Sequence, residues 1–402
     1  MTPDPLLAFD TGAMAARRHR LRDATRFVQE TTDPLLRTSL PAIQPVSTVF
    51  FRDVEELRRH EAAPFDGFFY GGLGTPATEG LEQALARLEG GDRAVAVSTG
   101  NGALAIALLA FTRDGHLLVA DSAVVSMRYL CEQTLRRFGV EIEYYPPGIG
   151  ADVVELIRPD TFAIHLESPG SLSFEVQDVP AITGVARARG IVTILDNSWG
   201  ALGLFPAFEH GVDVSVMSIG KQAGGHADLM LGAIVSRERH ATLLKNTAVQ
   251  LGHMPGALET FLALRGLRSL PVRRAHQERA ALQLARWFAR QAPVKRVLHP
   301  GLPSFAGHAL WQRDFAGAAG LLTVAFHATA RERVLRALDR LHLTRLGHGW
   351  GGTESLALPC LKSPLRQWAP QPADEFWVRL SVGLEDVDDL IEDWQDALGQ
   401  AG

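Results

Sequence analysis

Lysine is scarce in this chain. Only four of its 40 basic residues are lysine (Lys221, Lys245, Lys295 and Lys362), and the rest are arginine. Cysteine is rarer: Cys131 and Cys360 stand far apart, too few for a disulfide framework and in no metal-ligand spacing. Two free thiols in a reducing cytoplasm are expected. The 14 histidines are scattered and form no HExxH pattern, so no metal site is expected. No apolar run approaches the roughly 18 residues of a membrane span. Net charge is −5 and the pI about 6.3, with no basic stripe for nucleic acid. The opening MTPDPLLAFDTGAMAARRHRLRD places its positive charges after a weak apolar stretch, which does not fit a secretory signal. These absences point to a cytoplasmic protein that handles a small molecule.

The 402 residues are enough for two or three domains. Residues 1–62, with a basic segment at 17–22 and the linker-like SLPAIQPVSTVFF, are expected to form an arm that packs on something else. Residues 63–256 alternate helix and strand. TEGLEQALARLEGG carries Leu81, Leu85 and Leu88 at helical spacing and stops at Gly90 and Gly91. AVAVS, HLLVA, EIEYY, FAIHLES, IVTILDN and VDVSVMS read as strands, with helices over 126–138 and in DVPAITGVARARG. Nearly continuous apolar strands separated by helices predict an α/β fold with a mostly parallel sheet covered on both faces. Residues 257–402 read as a smaller α+β domain. It has a long helix broken at Pro271, a strand in GLLTVAFHA and an amphipathic closing helix carrying Val387, Leu390, Ile391, Trp394 and Leu398.

Three stretches carry chemistry. In STGNGALAI, a strand runs through Gly100, Asn101 and Gly102 into a helix, so free backbone N–H groups face an anion such as a phosphate. In ILDNSWG, Asp196 ends an apolar strand, where ligands bind in open α/β sheets. A carboxylate there could cap a helix, bind a metal or pair with a protonated pyridine nitrogen. In VMSIGKQAGGHADLM, Lys221 follows a strand, and Ser218, Gly224 and Gly225 permit close backbone approach. A buried lysine can lose its proton and attack a carbonyl, which arginine cannot. A phosphate turn, a strand-end carboxylate and a strand-end lysine, in that order, suit pyridoxal 5'-phosphate.

Longer segments strengthen this reading: YGGLGTPAT, LESPGSLSFEVQDVPAI, LDNSWG, KQAGGHADLMLG, GWGGTESL and RLSVGLEDVDDLI. Over roughly residues 42–398 the chain resembles the Cys/Met metabolism family of pyridoxal phosphate enzymes, and within it the bacterial cystathionine β-lyase branch. The resemblance implies a fold type I transferase-like architecture with a seven-stranded large domain. It implies that Lys221 links to the cofactor and moves the substrate α-proton. Asp196 would pair with the ring nitrogen, while Gly100, Asn101 and Ser218 would serve the cofactor's phosphate end. Arg379 would clamp the substrate α-carboxylate beside Trp350. Tyr70 would reach the site of a neighbouring subunit in a homodimer or homotetramer.

The resemblance fails at specific places. Gly72 stands where relatives carry a phosphate-gripping arginine, and Val124 where a tyrosine stacks on the ring. Gly220 replaces a hydroxyl residue before the lysine, and Gly349 a serine before Trp350. Arg128 and His226 are close enough in sequence to compensate. The implied reaction is β-elimination from cystathionine or another cysteine S-conjugate, releasing a thiol, pyruvate and ammonia. The departures leave two rivals. One is γ-elimination, substitution or racemisation on the same scaffold; the other is a degenerate, non-catalytic relative.

Overall fold

The computed structural model describes residues 22–32, 38–65, 67–362 and 364–401. The basic segment at 17–22 lies outside the described residues except for Arg22. The core is a seven-stranded sheet of β1 (Arg93–Val97), β2 (Gly115–Ala120), β3 (Val140–Tyr145), β4 (Thr161–Glu167), β5 (Val192–Asp196), β6 (Val214–Ser218) and β7 (Gly232–Ser236). Their order is β1-β7-β6-β5-β4-β2-β3. β7 runs antiparallel to β1 and β6, while the other pairs are parallel. Every residue of β4 and of β7 is buried, as a sheet covered on both faces requires. The expected fold class therefore holds. β7 is the strand the sequence reading passes over: it returns directly from β6 with no helix between, so it breaks the alternation that marks the others.

A second sheet has five strands: β8 (Val294–Leu298), β9 (Leu321–His327), β10 (Arg345–Leu346), β11 (Leu356–Pro359) and β12 (Glu375–Ser381). They lie in the order β10-β11-β12-β9-β8. The closing helix Val387–Gln400 buries Leu390, Trp394 and Leu398. Trp394 meets Phe288 edge-on, with ring centroids 5.1 Å apart, a geometry that favours aromatic pairs.

Two expectations need correction. The long helix is not broken at Pro271 but runs unbroken from Ala257 to Phe288. Proline cannot donate to the carbonyl one turn back. The adjoining turn is braced by side chains: Arg273 Nη2 donates to the Gly266 carbonyl at 2.9 Å and Ser269 Oγ to the same oxygen at 3.2 Å. Leu264, Leu267 and Leu270 are buried on the same helix, each worth roughly 1.5–3 kcal/mol. The single helix expected over 126–138 is an α-helical turn at Val125–Tyr129, a π-helical turn at Leu130–Thr134 and a 3-10 turn at Leu135–Phe138. Met127, Cys131 and Leu135 still point inward at a spacing of four. Within the N-terminal arm, Phe27, in the helix Asp23–Gln29, belongs to the core cluster that holds Leu85 and Leu88, whereas the helix Val54–Ala62 buries none of its residues and Phe50 is exposed.

Candidate functional site

β4, β5 and β6 end side by side, which places Glu167, Asp196 and Ser218 along one edge of the sheet. The turn at Gly100 joins this edge from above. Thr99 caps the helix Gly100–Leu109, its hydroxyl accepting from Gly102 N at 2.9 Å. A Cβ on Gly100 would stand 2.7 Å from Ser218 Oγ, and one on Gly232 would stand 2.2 Å from the Thr99 carbonyl oxygen. Three segments thus converge only because these positions lack side chains. The first N–H groups of a helix have no intrahelical partner, so Gly100 and Asn101, with the Ser218 hydroxyl beside them, could hold a phosphate.

Asp196 is buried, with 9% of its surface exposed. Its Oδ1 accepts from Ser198 N at 3.0 Å, and Ser198 Oγ accepts from Ser218 N at 2.9 Å. Ser198 therefore ties the ends of β5 and β6 together. Burial raises the Asp196 carboxyl above the usual aspartate range, against the opposing pull of Ser198 and the Lys221 charge.

Lys221 opens the turn after β6. It is partly buried, and among the described residues its amine makes no hydrogen bond or ion pair, while its backbone N–H donates to the Ser218 carbonyl at 3.2 Å. Lys245 and Lys295 differ: each is held by a carboxylate, Glu82 at 2.8 Å and Asp374 at 2.6 Å respectively. Burial, then the positive charge of Arg379, lowers the Lys221 ammonium below the ordinary lysine value, with Asp196 opposing. Its Nζ lies 6.0 Å from the centroid of the Trp350 ring.

The turn is fixed from below. Arg273 is buried, and its Nη1 donates to the Gln222 carbonyl at 2.8 Å. A Cβ on Gly225, whose φ is +71°, would strike this guanidinium at 1.8 Å, and one on Gly266 would strike the Gly224 carbonyl at 2.3 Å. The turn is fixed from above by Gly351 (φ +80°), whose Cβ would stand 2.7 Å from Gln222 N and 3.0 Å from the Lys221 carbonyl carbon. Trp350 is thereby pressed over the lysine.

Arg379, on β12, donates from Nη2 to the carbonyls of His348 at 2.8 Å and Gly349 at 2.9 Å. Its Nε is buried without a partner, and burial lowers the guanidinium to about 10. An unpaired guanidinium N–H suits an incoming carboxylate. The fold therefore gathers Gly100, Asn101, Asp196, Ser218, Lys221, Trp350 and Arg379.

The structure does not gather Tyr70. It precedes the short turn Gly71–Leu73, is 48% exposed and makes no hydrogen bond to the others. Neither proposed compensator faces the departures. Arg128 is paired with Asp121 and lies 4.0 Å over the Tyr144 ring, and His226 Nδ1 bonds the Gly224 carbonyl at 2.7 Å. Gly220 has a packing reason: a Cβ there would stand 2.8 Å from the Leu229 carbonyl. Glu167, Ser198 and Gly232 escaped the sequence reading. Glu167 ends an apolar strand as Asp196 does, and that was the available signal. Cys131 and Cys360 are both free, as expected.

The donor set fits pyridoxal phosphate on chemical grounds: glycine-walled N–H groups for a phosphate, a buried carboxylate for a ring nitrogen and a desolvated amine for an aldehyde. This fold and site define a fold type I pyridoxal phosphate-dependent enzyme. The chain belongs to the Cys/Met metabolism PLP-dependent enzyme family, whose model matches residues 24–399. It is 37% identical to the cystathionine beta-lyase MetC of Escherichia coli, over 87% of this chain and 91% of that one. It is 34% identical to an L-alanine/L-glutamate racemase of Wolbachia pipientis, over 83% of each. The crystal structure of metB from Corynebacterium glutamicum superposes with a TM-score of 0.88, covering 96% of this chain and 100% of that one at 24% identity.

Proposed function

We propose that the chain is a carbon–sulfur β-lyase that cleaves cystathionine or a related cysteine S-conjugate to a thiol, pyruvate and ammonia. The observation that carries this is Lys221: a partly buried amine with no ion pair, beside Asp196, Arg379 and Trp350. The cofactor, when bound, withdraws electrons from the substrate α-carbon. Arg379 binds the α-carboxylate and so orients the α-hydrogen toward Lys221. Lys221, whose charged form burial disfavours, takes that proton at Nζ and returns it to the departing sulfur. Asp196 stays ionised opposite the ring nitrogen. Trp350 covers the amine and keeps water from it. Gly100, Asn101 and Ser218 hold the phosphate. Tyr70 would act on a second copy's site in a homodimer or homotetramer, and the setting would be cytoplasmic. The chain divides into an arm to residue 62, a cofactor-binding unit to 256 and a smaller C-terminal unit.

The test has two stages. The purified protein with pyridoxal phosphate is scanned for a band near ~420 nm, the signature of cofactor linked to an amine. L-cystathionine is then supplied and products are assayed. Pyruvate with homocysteine is the expected pair; cysteine with 2-oxobutyrate would replace this reading with γ-elimination. A second reading, racemisation of a free amino acid, has Val124 in its favour: an apolar residue lines the place where relatives of this branch carry a tyrosine. Loss of optical activity from L-alanine without pyruvate formation would select it.

A further inference from the structure

Glu167 is a second buried carboxyl in this site, and the mechanism above leaves it idle. It ends β4 with 8% of its surface exposed and lies in register beside Asp196 on β5. Its Oε2 accepts the Val124 N–H at 2.7 Å. Val124 sits in extended backbone (φ −55°, ψ 146°) just before the turn Val125–Tyr129. Its apolar side chain is what this chain offers where a stacking ring is absent. A small side chain makes few contacts, and a shift of under an ångström forfeits much of their dispersion energy. The backbone that carries it must therefore be held.

We propose that Glu167 is a positioning residue: its carboxyl, acting as a hydrogen-bond acceptor, anchors the Val124 peptide beside Asp196 and so sets the apolar wall against the cofactor ring. This rests on the cofactor reading above. Two adjacent buried carboxyls do not both ionise cheaply. Burial and the Asp196 charge push Glu167 well above the usual range; Glu175 adds to this, while the Val124 N–H and Arg366 oppose it. Asp196 has the Ser198 N–H and the Lys221 charge in its favour. Burial therefore disfavours a charge on Glu167 more strongly than on Asp196, whose carboxyl is the one with the Ser198 N–H and Lys221 beside it. The surroundings of Glu167 are built for this, since Arg366 Nη1 donates to Glu175 Oε1 at 2.7 Å and its Nη2 to the Ser171 carbonyl.

The test is a titration of cofactor-free protein with pyridoxal phosphate, read from the ~420 nm band, with folding checked by far-ultraviolet circular dichroism. Glu167→Gln keeps an acceptor and carries no charge, so it should bind within about threefold of wild type with the band unmoved. Glu167→Ala should bind roughly tenfold more weakly with the band shifted. Val124→Pro removes the donor at a φ that proline accepts, and it should match Glu167→Ala, with no further loss in the double variant. Glu167→Gln as impaired as Glu167→Ala would overturn the proposal, because charge rather than acceptance would then matter. So would wild-type binding in Val124→Pro. No band in the wild type would remove the cofactor reading first, and this inference with it.

Discussion

The two ends of the site are built from different materials. The lysine end is made of charged side chains. Lys221 and Asp196 perturb each other's ionisation across a partly buried space, and the Arg379 charge bears on Lys221. The phosphate end is made of backbone. Gly100, Gly220 and Gly232 all sit where a Cβ would collide, at 2.7, 2.8 and 2.2 Å, with a side chain or a carbonyl. Gly220 thus does more than omit a hydroxyl, because the Leu229 carbonyl already occupies the space. An anion there would be held by Ser218 and by the N–H groups of the helix N-terminus, where the helix dipole amounts to about half a charge. The difference teaches where side-chain identity matters. At the lysine end each functional group is proposed to act on reacting atoms. At the phosphate end the same task passes to any tightly packed glycine turn, so the side-chain cation found in relatives can be absent.

The largest expected effect lies at the lysine end. Lys221→Ala should abolish the ~420 nm band and lower turnover by at least roughly 10²–10⁴-fold, the range of a lost proton-transfer group. A retained band would show that another amine carries the cofactor, and the contrast between the ends would fall. Asp196→Asn comes next. Losing a charge-assisted bond to the ring nitrogen costs about 1.5–3 kcal/mol, roughly 10- to 150-fold in kcat/KM. This variant also makes a signed pH prediction. The amine reacts only when unprotonated, so cofactor incorporation rises with pH through the Lys221 pKa. Asp196 raises that pKa and Arg379 lowers it. Removing the Asp196 charge must therefore move the incorporation curve to lower pH. A stopped-flow series across pH 6–10 reads the shift, and movement to higher pH would break the electrostatic account.

Much of this site was legible in the sequence because strand ends are legible. Asp196 and Lys221 each follow an apolar run, and parallel pairing must bring such ends to one edge. The same logic should have caught Glu167, which ends FAIHLE as Asp196 ends VTILD. It received no role although it lies in the segment LESPGS; only the register of β4 against β5 shows the two carboxyls side by side. Pro271 misled for a related reason. Local propensity predicts a break, yet the helix runs on through it, and a buried arginine two residues further on bonds the Gly266 carbonyl while its guanidinium also holds the lysine turn. Arg128 could not be placed from sequence proximity, since its partner Asp121 is seven residues back and its ring partner Tyr144 on another strand. Periodicity finds elements, whereas side-chain commitments need the tertiary structure.

A smaller effect is expected at the substrate clamp. Arg379→Lys keeps the charge and loses the planar fork. Its Nη2 bonds to the His348 and Gly349 carbonyls would go, and with them the aim of Nε. KM for L-cystathionine should rise roughly tenfold with kcat nearly unchanged, the pattern of lost uniform binding. An equal fall in kcat would place Arg379 in the chemistry rather than in binding and would sharpen the lysine end further.

The smallest effects come from rebuilding the phosphate end toward side chains, where two glycines should respond oppositely. At Gly220 the obstacle is backbone, the Leu229 carbonyl at 2.8 Å. Gly220→Thr should therefore destabilise the protein by about 1–3 kcal/mol, as overpacking does, and lower its Tm. At Gly72 the nearest atoms are Cε1 and Cδ1 of the Tyr70 ring, at 2.7 and 2.9 Å. That ring is half exposed and can turn aside. Gly72→Arg should leave Tm nearly unchanged and tighten pyridoxal phosphate binding a few-fold, on the scale of an exposed ion pair, about 0.2–1 kcal/mol. The gain should shrink as salt rises, because exposed charges are screened. If Gly72→Arg tightened binding a hundredfold instead, the backbone cradle would be insufficient by itself, and the phosphate end would have to be read as impaired rather than differently built.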